Sequence, residues 1–318
     1  MRAILPALKG YEYRAFGFPI FSEMALPELE SASVPGDRGE PVYIGYEDLS
    51  PHLKELNTGR YTAAVREASI LIKIEETALF RISGGDRITF FPFPGADMSK
   101  IRLFVLGTCM AALLYQRRIL PLHGSAIAVN GRAYAFVGNC GAGKSTLAAA
   151  FLQQGFHMVS DDVIGVPSGF TSPSDGGPPY AIPSYPQQKL WSESMSHFGM
   201  EQSGYRQLFR EGAKFAIPVA ARFQTEPLPL AGVFELFAAD GTGIEIRPFT
   251  KLERIDALTR HTYRSFLAPM LGLDQWHFDT VTALAGKVAV YRIRRPAEGF
   301  TAHQLAGQIL QLIGKGES

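Results

Sequence analysis

The sequence predicts an α/β chain in two parts: a small, mostly β N-terminal domain over residues 1–95 and a larger α/β domain over residues 96–318. Three observations carry that expectation. Up to Gly95 the apolar residues fall in short runs punctuated by Gly, Pro, Asp and Ser. Beyond Pro94-Gly95, helical spacing joins the strand-like runs. Within the second part, GNCGAGKS at 138–145 sits between a strand-like and a helix-like segment, and VSDD at 159–162 ends the strand after that.

In the first part the candidate strands are Arg14–Phe21, Pro41–Tyr46, Ala68–Ile74, Ala78–Ile82 and Arg87–Phe93, rich in Ile, Tyr, Phe and Thr. They carry no charged, catalytic-looking cluster, so this part is expected to recognise a partner or to pack on the second. Asp97 and Ser99 can cap a helix reaching about Arg118. Its apolar positions Ile101, Phe104, Val105, Thr108, Ala111, Ala112 and Tyr115 recur at helical spacing. Strands Ile119–Val129 and Arg132–Val137 follow, joined by Asn130-Gly131, a two-residue hairpin signal because both turn positions need positive φ. A helix from Lys144 to about Gln154 and a strand Phe156–Ser160 complete the setting of the glycine-rich stretch. The Gly/Pro/Ser-crowded segment 167–186 reads as an exposed loop with room for one short strand. Ala213–Val219, Ala231–Ala238, Gly243–Phe249 and Val288–Ile293 read as further strands. Thr250 with Glu253, and Thr301 with Gln304, form capping boxes for helices reaching about Phe266 and about Ile313. No internal repeat is visible.

With 46% hydrophobic and 19% charged residues, the chain of 318 residues can bury a sizeable core and lacks the composition of disorder. A net charge of +1 gives no general attraction to nucleic acid or to an anionic membrane. The two cysteines, Cys109 and Cys140, are expected as free thiols in a reducing compartment, since a disulfide at Cys140 would distort the glycine-rich turn. The N-terminus lacks a signal peptide's long apolar stretch. The most apolar run, Leu103–Tyr115, is too short to span a bilayer and reads as a buried helix. A cytoplasmic protein, binding neither membrane nor nucleic acid, is the expectation.

GNCGAGKS fits G-x-x-x-x-G-K-[ST] at Gly138, Gly143, Lys144 and Ser145. Gly138, Gly141 and Gly143 let the backbone turn its N–H groups onto an anion, and the following helix adds the positive end of its dipole. Lys144 would reach the β- and γ-phosphates and Ser145 would ligate Mg²⁺. Asp161 comes sixteen residues after Ser145, and Asp162 adjoins it. One carboxylate there can hold Mg²⁺ while the second takes a proton from an attacking hydroxyl. Alternatively, one holds the metal and the other caps a turn. Spacing does not separate these readings. His123, alone beside an apolar strand, is by itself more in keeping with a structural residue.

The set LHGSAIAV, FVGNCGAGKSTLAAAFLQQGF and VSDD resembles the catalytic core of the HPr serine kinase/phosphorylase family from about Leu120 to Val166. The resemblance fades towards the C-terminus and does not cover residues 1–95. YRAFGFPIFSEMALPEL and IPSYPQQKLW look like a divergent branch of tailoring kinases that act on lasso-peptide precursors at a C-terminal serine. The resemblance implies a P-loop kinase core of HPr kinase type and transfer of the γ-phosphate of ATP, with Mg²⁺, to a serine hydroxyl of a peptide or protein. Gly138, Asn139, Cys140, Gly141, Ala142, Gly143, Lys144, Ser145 and Thr146 would then surround the triphosphate. It also implies Asp161 as base and Asp162 as metal support beside Ser145, or the two in exchanged roles, with His123 orienting the pair.

There are departures from the family. Thr146 stands where an acidic residue is common, a Pro-Gly-Arg-Asn segment tied to phosphorylase action is not visible, and PSYPQQK lacks an expected glutamate, so that either the metal needs fewer protein ligands or Glu193 or another acid substitutes. The family forms hexamers, but the N-terminal part differs, so an oligomer is possible and its size is left open. Lys189, Arg206, Arg210, Lys214, Arg260, Arg264, Arg292, Arg294 and Arg295 are the basic residues available to steer a peptide or a phosphate, with Lys214 and Arg264 singled out. Most are expected as solvated surface charge. Tyr180, Tyr185 and Trp191 flank the loop as candidate groove residues. A small-molecule or carboxykinase-like P-loop kinase and a non-catalytic nucleotide-binding sensor are the competing readings.

Overall fold

The structure, a computed structural model, describes residues 10–31, 39–56, 61–170, 177–208, 213–241 and 243–315. Arg210 and part of the expected 167–186 loop lie outside them. The chain divides into two compact units, Met1–Ile119 with Phe266–Leu273, and Leu120–Ser265 with Asp274–Ser318. The helix expected to open the second domain therefore belongs to the first unit, because its apolar surface packs on that unit's sheet.

The first unit holds one eight-stranded sheet. Its strands are β1 (Tyr11–Ala15), β2 (Phe18–Ser22), β3 (Glu30–Ser31), β4 (Val42–Tyr46), β5 (Tyr61–Arg66), β6 (Ser69–Ile74), β7 (Ala78–Ser83) and β8 (Arg87–Pro92), in the order β3-β1-β2-β4-β8-β7-β6-β5. The single strand expected at Arg14–Phe21 is a hairpin, turned by Phe16 and Gly17 at φ 52° and 76°. On one face Leu71 and Leu79 meet Leu49 and Leu56. Phe80 meets Phe104 of the helical stretch α1 (Met98–Phe104), a π-helical turn (Val105–Cys109) and α2 (Met110–Gln116). Asp97 caps α1 by accepting from Ser99 N at 2.8 Å. This stretch, Met98–Gln116, is longer than its most apolar run, and by length and composition it could cross a membrane. Since 67% of its apolar window is buried within the structure, core packing explains that composition.

The second unit is α/β. Its main sheet runs β11-β9-β10-β17-β19-β18, from β9 (Ile119–Val129), β10 (Arg132–Gly138), β11 (His157–Ser160), β17 (Leu228–Ala239), β18 (Glu245–Pro248) and β19 (Ala289–Pro296). β12 (Val163–Pro167) and β13 (Tyr180–Ala181) attach to β9 and β17. Asn130 and Gly131, at φ 49° and 72°, turn β9 into β10 as their chemistry predicts. A smaller sheet, β14-β16-β15, joins β14 (Gln187–Trp191), β15 (Arg206–Gln207) and β16 (Lys214–Pro218). The helices are α3 (Lys144–Gln153), α4 (Ser192–His197), α5 (Lys251–Arg260), α6 (Asp274–Lys287) and α7 (Ala302–Lys315). α5 carries the expected Thr250/Glu253 capping box but stops at Arg260, short of Phe266. One core layer packs Leu147 and Phe151 of α3 and Leu305 and Ile309 of α7 against Phe136 and Phe234. The other packs Leu258 of α5 and Leu284 of α6 against Val137 and Val233.

Candidate active site

β10 ends where the glycine-rich turn begins. A Cβ on Gly138 (φ 150°) would stand 2.8 Å from the backbone oxygen of Leu236 on β17, so only glycine lets the two strands close there. Gly143 is left-handed at φ 98° and caps α3. Lys144 is nearly buried and donates from Nζ to the carbonyls of Gly138 (2.8 Å) and Asn139 (3.0 Å). Burial pushes its pKa down, against the pull of neighbouring negative groups that include Asp161 and Asp162. Ala142 N bonds Asn139 O at 3.1 Å, and Ala142 O accepts from Arg295 Nε at 3.0 Å. Cys140 is exposed and Cys109 buried, neither of them in a disulfide. Thr146 points its hydroxyl at Ser194 Oγ of α4, 2.8 Å away.

The two acids are reached through β11. β9 lies between β11 and β10 and is antiparallel to both, so β11 and β10 run the same way and end at the same level. The expected nearness holds with one strand interposed. Asp161 is 2% exposed and fully engaged. Its Oδ1 accepts from Ser145 Oγ (2.9 Å) and Ser125 Oγ (2.6 Å), and its Oδ2 from Lys189 N (2.8 Å). Asp162 is left-handed at φ 76°, uncommon for a residue with a side chain. Its Oδ2 accepts from Lys189 Nζ at 2.7 Å. Burial alone would raise its pKa, but Lys189 and His123 outweigh that and hold it well below the carboxylate range. Lys189 is raised in return: burial works against it, and the Asp162 carboxylate more than compensates.

His123 lies beside Asp162. Its Nδ1 is 3.1 Å from the Asp162 carbonyl and 3.9 Å from Oδ1. Burial lowers its pKa despite Asp162, so the ring is neutral at pH 7, and the carbonyl, an acceptor only, places the proton on Nδ1. The ring stacks on Tyr263 at 5.1 Å, and His123 N donates to His261 O at 2.8 Å.

A cleft of about 670 Å³ opens over these groups. Lys144, Ser145, Asp162, His123, Lys189 and Lys214 line it, whereas Asp161 stands behind Ser145. Asp161 thus backs the loop serine, and Asp162 faces the open space. Among the described residues no three or more His, Cys, Asp or Glu side chains form a metal cluster. Ser145 Oγ on the cleft nevertheless fits Mg²⁺, which takes few protein ligands and completes its shell with phosphate and water, and Asp161 would support such an ion from behind Ser145.

Other expectations are revised. Lys189 is 4% exposed and ion-paired, not solvated. Lys214 lies over the Trp191 ring at 5.5 Å, and both line the cleft with Glu193. Tyr185 is buried, and Tyr180 is exposed away from the cleft. Arg264 lies against Tyr263, outside the cleft lining, and Arg260 and Arg292 pair with Glu235. Sequence reasoning gave no role to Ser125 or to Gln188, whose Nε2 holds Ser145 O at 2.9 Å. For Ser125 a signal was present, since it directly follows the His123-Gly124 pair.

No family model matches the chain, and no curated protein matches it. Among solved structures it is similar to the Hpr(Ser) kinase/phosphatase from Coxiella burnetii, with 14% sequence identity over 62% of this chain and 95% of that one, at a TM-score of 0.30. A likeness at that score carries no argument, so the functional reading rests on the residues of the site.

Proposed function

We propose that the protein is an ATP-dependent serine kinase that transfers the γ-phosphate to a hydroxyl of a peptide or protein, with the C-terminal serine of a lasso-peptide precursor as the leading acceptor. The observation that carries this reading is the division of the adjacent acids, one joined to the phosphate-loop serine at 2.9 Å and the other on the open cleft beside a neutral histidine. A nucleotide sensor needs the first carboxylate and has no use for the second.

In this reading the turn from Gly138 to Ser145 and the first turn of α3 hold the triphosphate through backbone N–H groups. Lys144 exchanges its two carbonyl partners for phosphate oxygens. Mg²⁺ bound at Ser145, with Asp161 supporting it from behind, would neutralise charge on the β- and γ-phosphates. Lys144, Lys214 and Arg295 are the lining cations left for a polyanion once Lys189 is paired with Asp162, and Glu193 and Glu298 also line the cleft. The acceptor oxygen attacks the γ-phosphorus, the bond to the β–γ bridging oxygen breaks, ADP leaves, and the hydroxyl proton passes to Asp162. Beside Lys189 this carboxylate is a weak base. A loose phosphoryl-transfer transition state releases the proton late, so orienting the hydroxyl matters more than basicity.

Labelled ATP offered with serine-terminated peptides and, separately, with hydroxylated metabolites tests the reading. Label in a peptide, lost in Lys144→Ala, supports it. Label only in a metabolite moves the chain to the small-molecule kinases. ATP binding without transfer to either set leaves a sensor.

A further inference from the structure

The cleft has a second end. Asp162 and His123 come from the β9/β11 side of β10. β17 and β19 lie on the other side, β17 parallel to β10 and β19 parallel to β17, so both end at the level of the phosphate loop. The segment after β19, from Ala297 to Thr301, and the first turn of α7 wall the cleft there. A triphosphate seated on the loop with its γ-phosphate towards Asp162 points its sugar and base at this wall.

The wall carries a pair of rings. His197 of α4 lies flat over Phe300, centroids 4.3 Å apart and planes 16° from parallel. Phe198 and His303 hold Phe300 edge-on at 5.2 and 5.8 Å. Phe300 is half-buried and His197 exposed, and both line the cleft with Leu236 and Leu305. Arg295, fixed to Ala142 O, stands between the rings' end of the cleft and the loop. An aromatic pair that lines a cleft, with His197 exposed and Phe300 half-buried, offers stacking surface to a flat heterocycle.

We infer that the nucleobase of the triphosphate lies against the Phe300–His197 pair, with Leu236 and Leu305 as its aliphatic floor. This rests on the triphosphate reading above. A purine is favoured over a pyrimidine because it covers more of the ring surface. The phosphates and the base are thus held by separate groups: backbone and Lys144 at one end, rings at the other.

Titration calorimetry on the full chain with Mg²⁺ tests this, using ATP and inorganic tripolyphosphate, which has no base. Phe300→Leu keeps apolar bulk for the helix packing and removes the ring. It is expected to weaken ATP binding roughly tenfold and leave tripolyphosphate binding unchanged. His197→Ala, which removes an exposed ring, is expected to act in the same direction and less strongly. ATP affinity unchanged in both variants, or ATP and tripolyphosphate weakened alike, would overturn the inference. A wild-type chain that binds neither ligand would overturn the triphosphate reading itself.

Discussion

Glu235 and Asp162 of the second unit both sit against cations, and they differ in what is left over. Glu235, on β17, is 4% exposed and saturated. His261 Nε2 bonds its Oε1 at 2.9 Å, Arg292 Nε bonds its Oε2 at 2.9 Å, and Arg260 stands 3.4 Å off. It does not line the cleft. Asp162 has one strong partner, Lys189, and its Oδ1 lies 3.9 Å from His123 Nδ1, beyond hydrogen-bond reach, with open space in front. The first arrangement braces structure, while the second leaves an oxygen for something that enters. Burial and an opposite charge alone would not have told them apart.

Substitutions at the two positions should therefore separate cleanly. Asp162→Asn removes the group facing the acceptor. Transfer is expected to fall by roughly a hundred- to ten-thousandfold, with ATP affinity within about threefold, as single-turnover transfer and equilibrium binding would report. Intact transfer in this variant would erase the contrast with Glu235. Glu235→Gln should instead cost stability, about 2 kcal/mol, a value held down because Arg260 and Arg292 remain partly exposed. Urea unfolding measures that loss, and transfer by the folded fraction should change little.

The same contrast has a pH signature. Burial by itself would raise the Glu235 pKa, but its bonds to His261 and Arg292 outweigh that and lower it. A carboxyl lowered on folding stabilises the native state above its unfolded pKa, near 4.5, and that contribution is lost as pH falls through the lower folded value. Unfolding midpoints taken from neutral pH down through that window should drop in the parent and drop less in Glu235→Gln. The smallest effect is expected at His123. His123→Ala removes one neutral hydrogen bond to Asp162 and should slow transfer about fivefold, leaving ATP binding as it was.

Local chemistry made some of this legible in the sequence. The glycine-rich turn, the Asn130-Gly131 hairpin and the Thr250/Glu253 box announce themselves because each is fixed by a few adjacent residues. β14 stayed hidden for the opposite reason. Gln187, Gln188 and Lys189 are buried polar residues, and Gln188 and Lys189 owe their burial to bonds with Ser145 and Asp162 that no periodicity encodes. The β1–β2 turn was missed because Phe16 takes a left-handed conformation that phenylalanine rarely adopts. α6 begins at Asp274 with no capping box in its sequence, and it was not foreseen. Which acid backs Ser145 and which faces the cleft is a matter of three-dimensional placement that a sequence does not display.

That order is best examined by ATP affinity with and without Mg²⁺ in Asp161→Asn and Asp162→Asn, measured side by side. Loss of the Mg²⁺-dependent gain in the first variant alone, with the second keeping it while losing transfer, is the expected result. If Asp162→Asn loses the Mg²⁺ dependence and Asp161→Asn keeps it, the two roles are exchanged and the reading of the cleft is wrong.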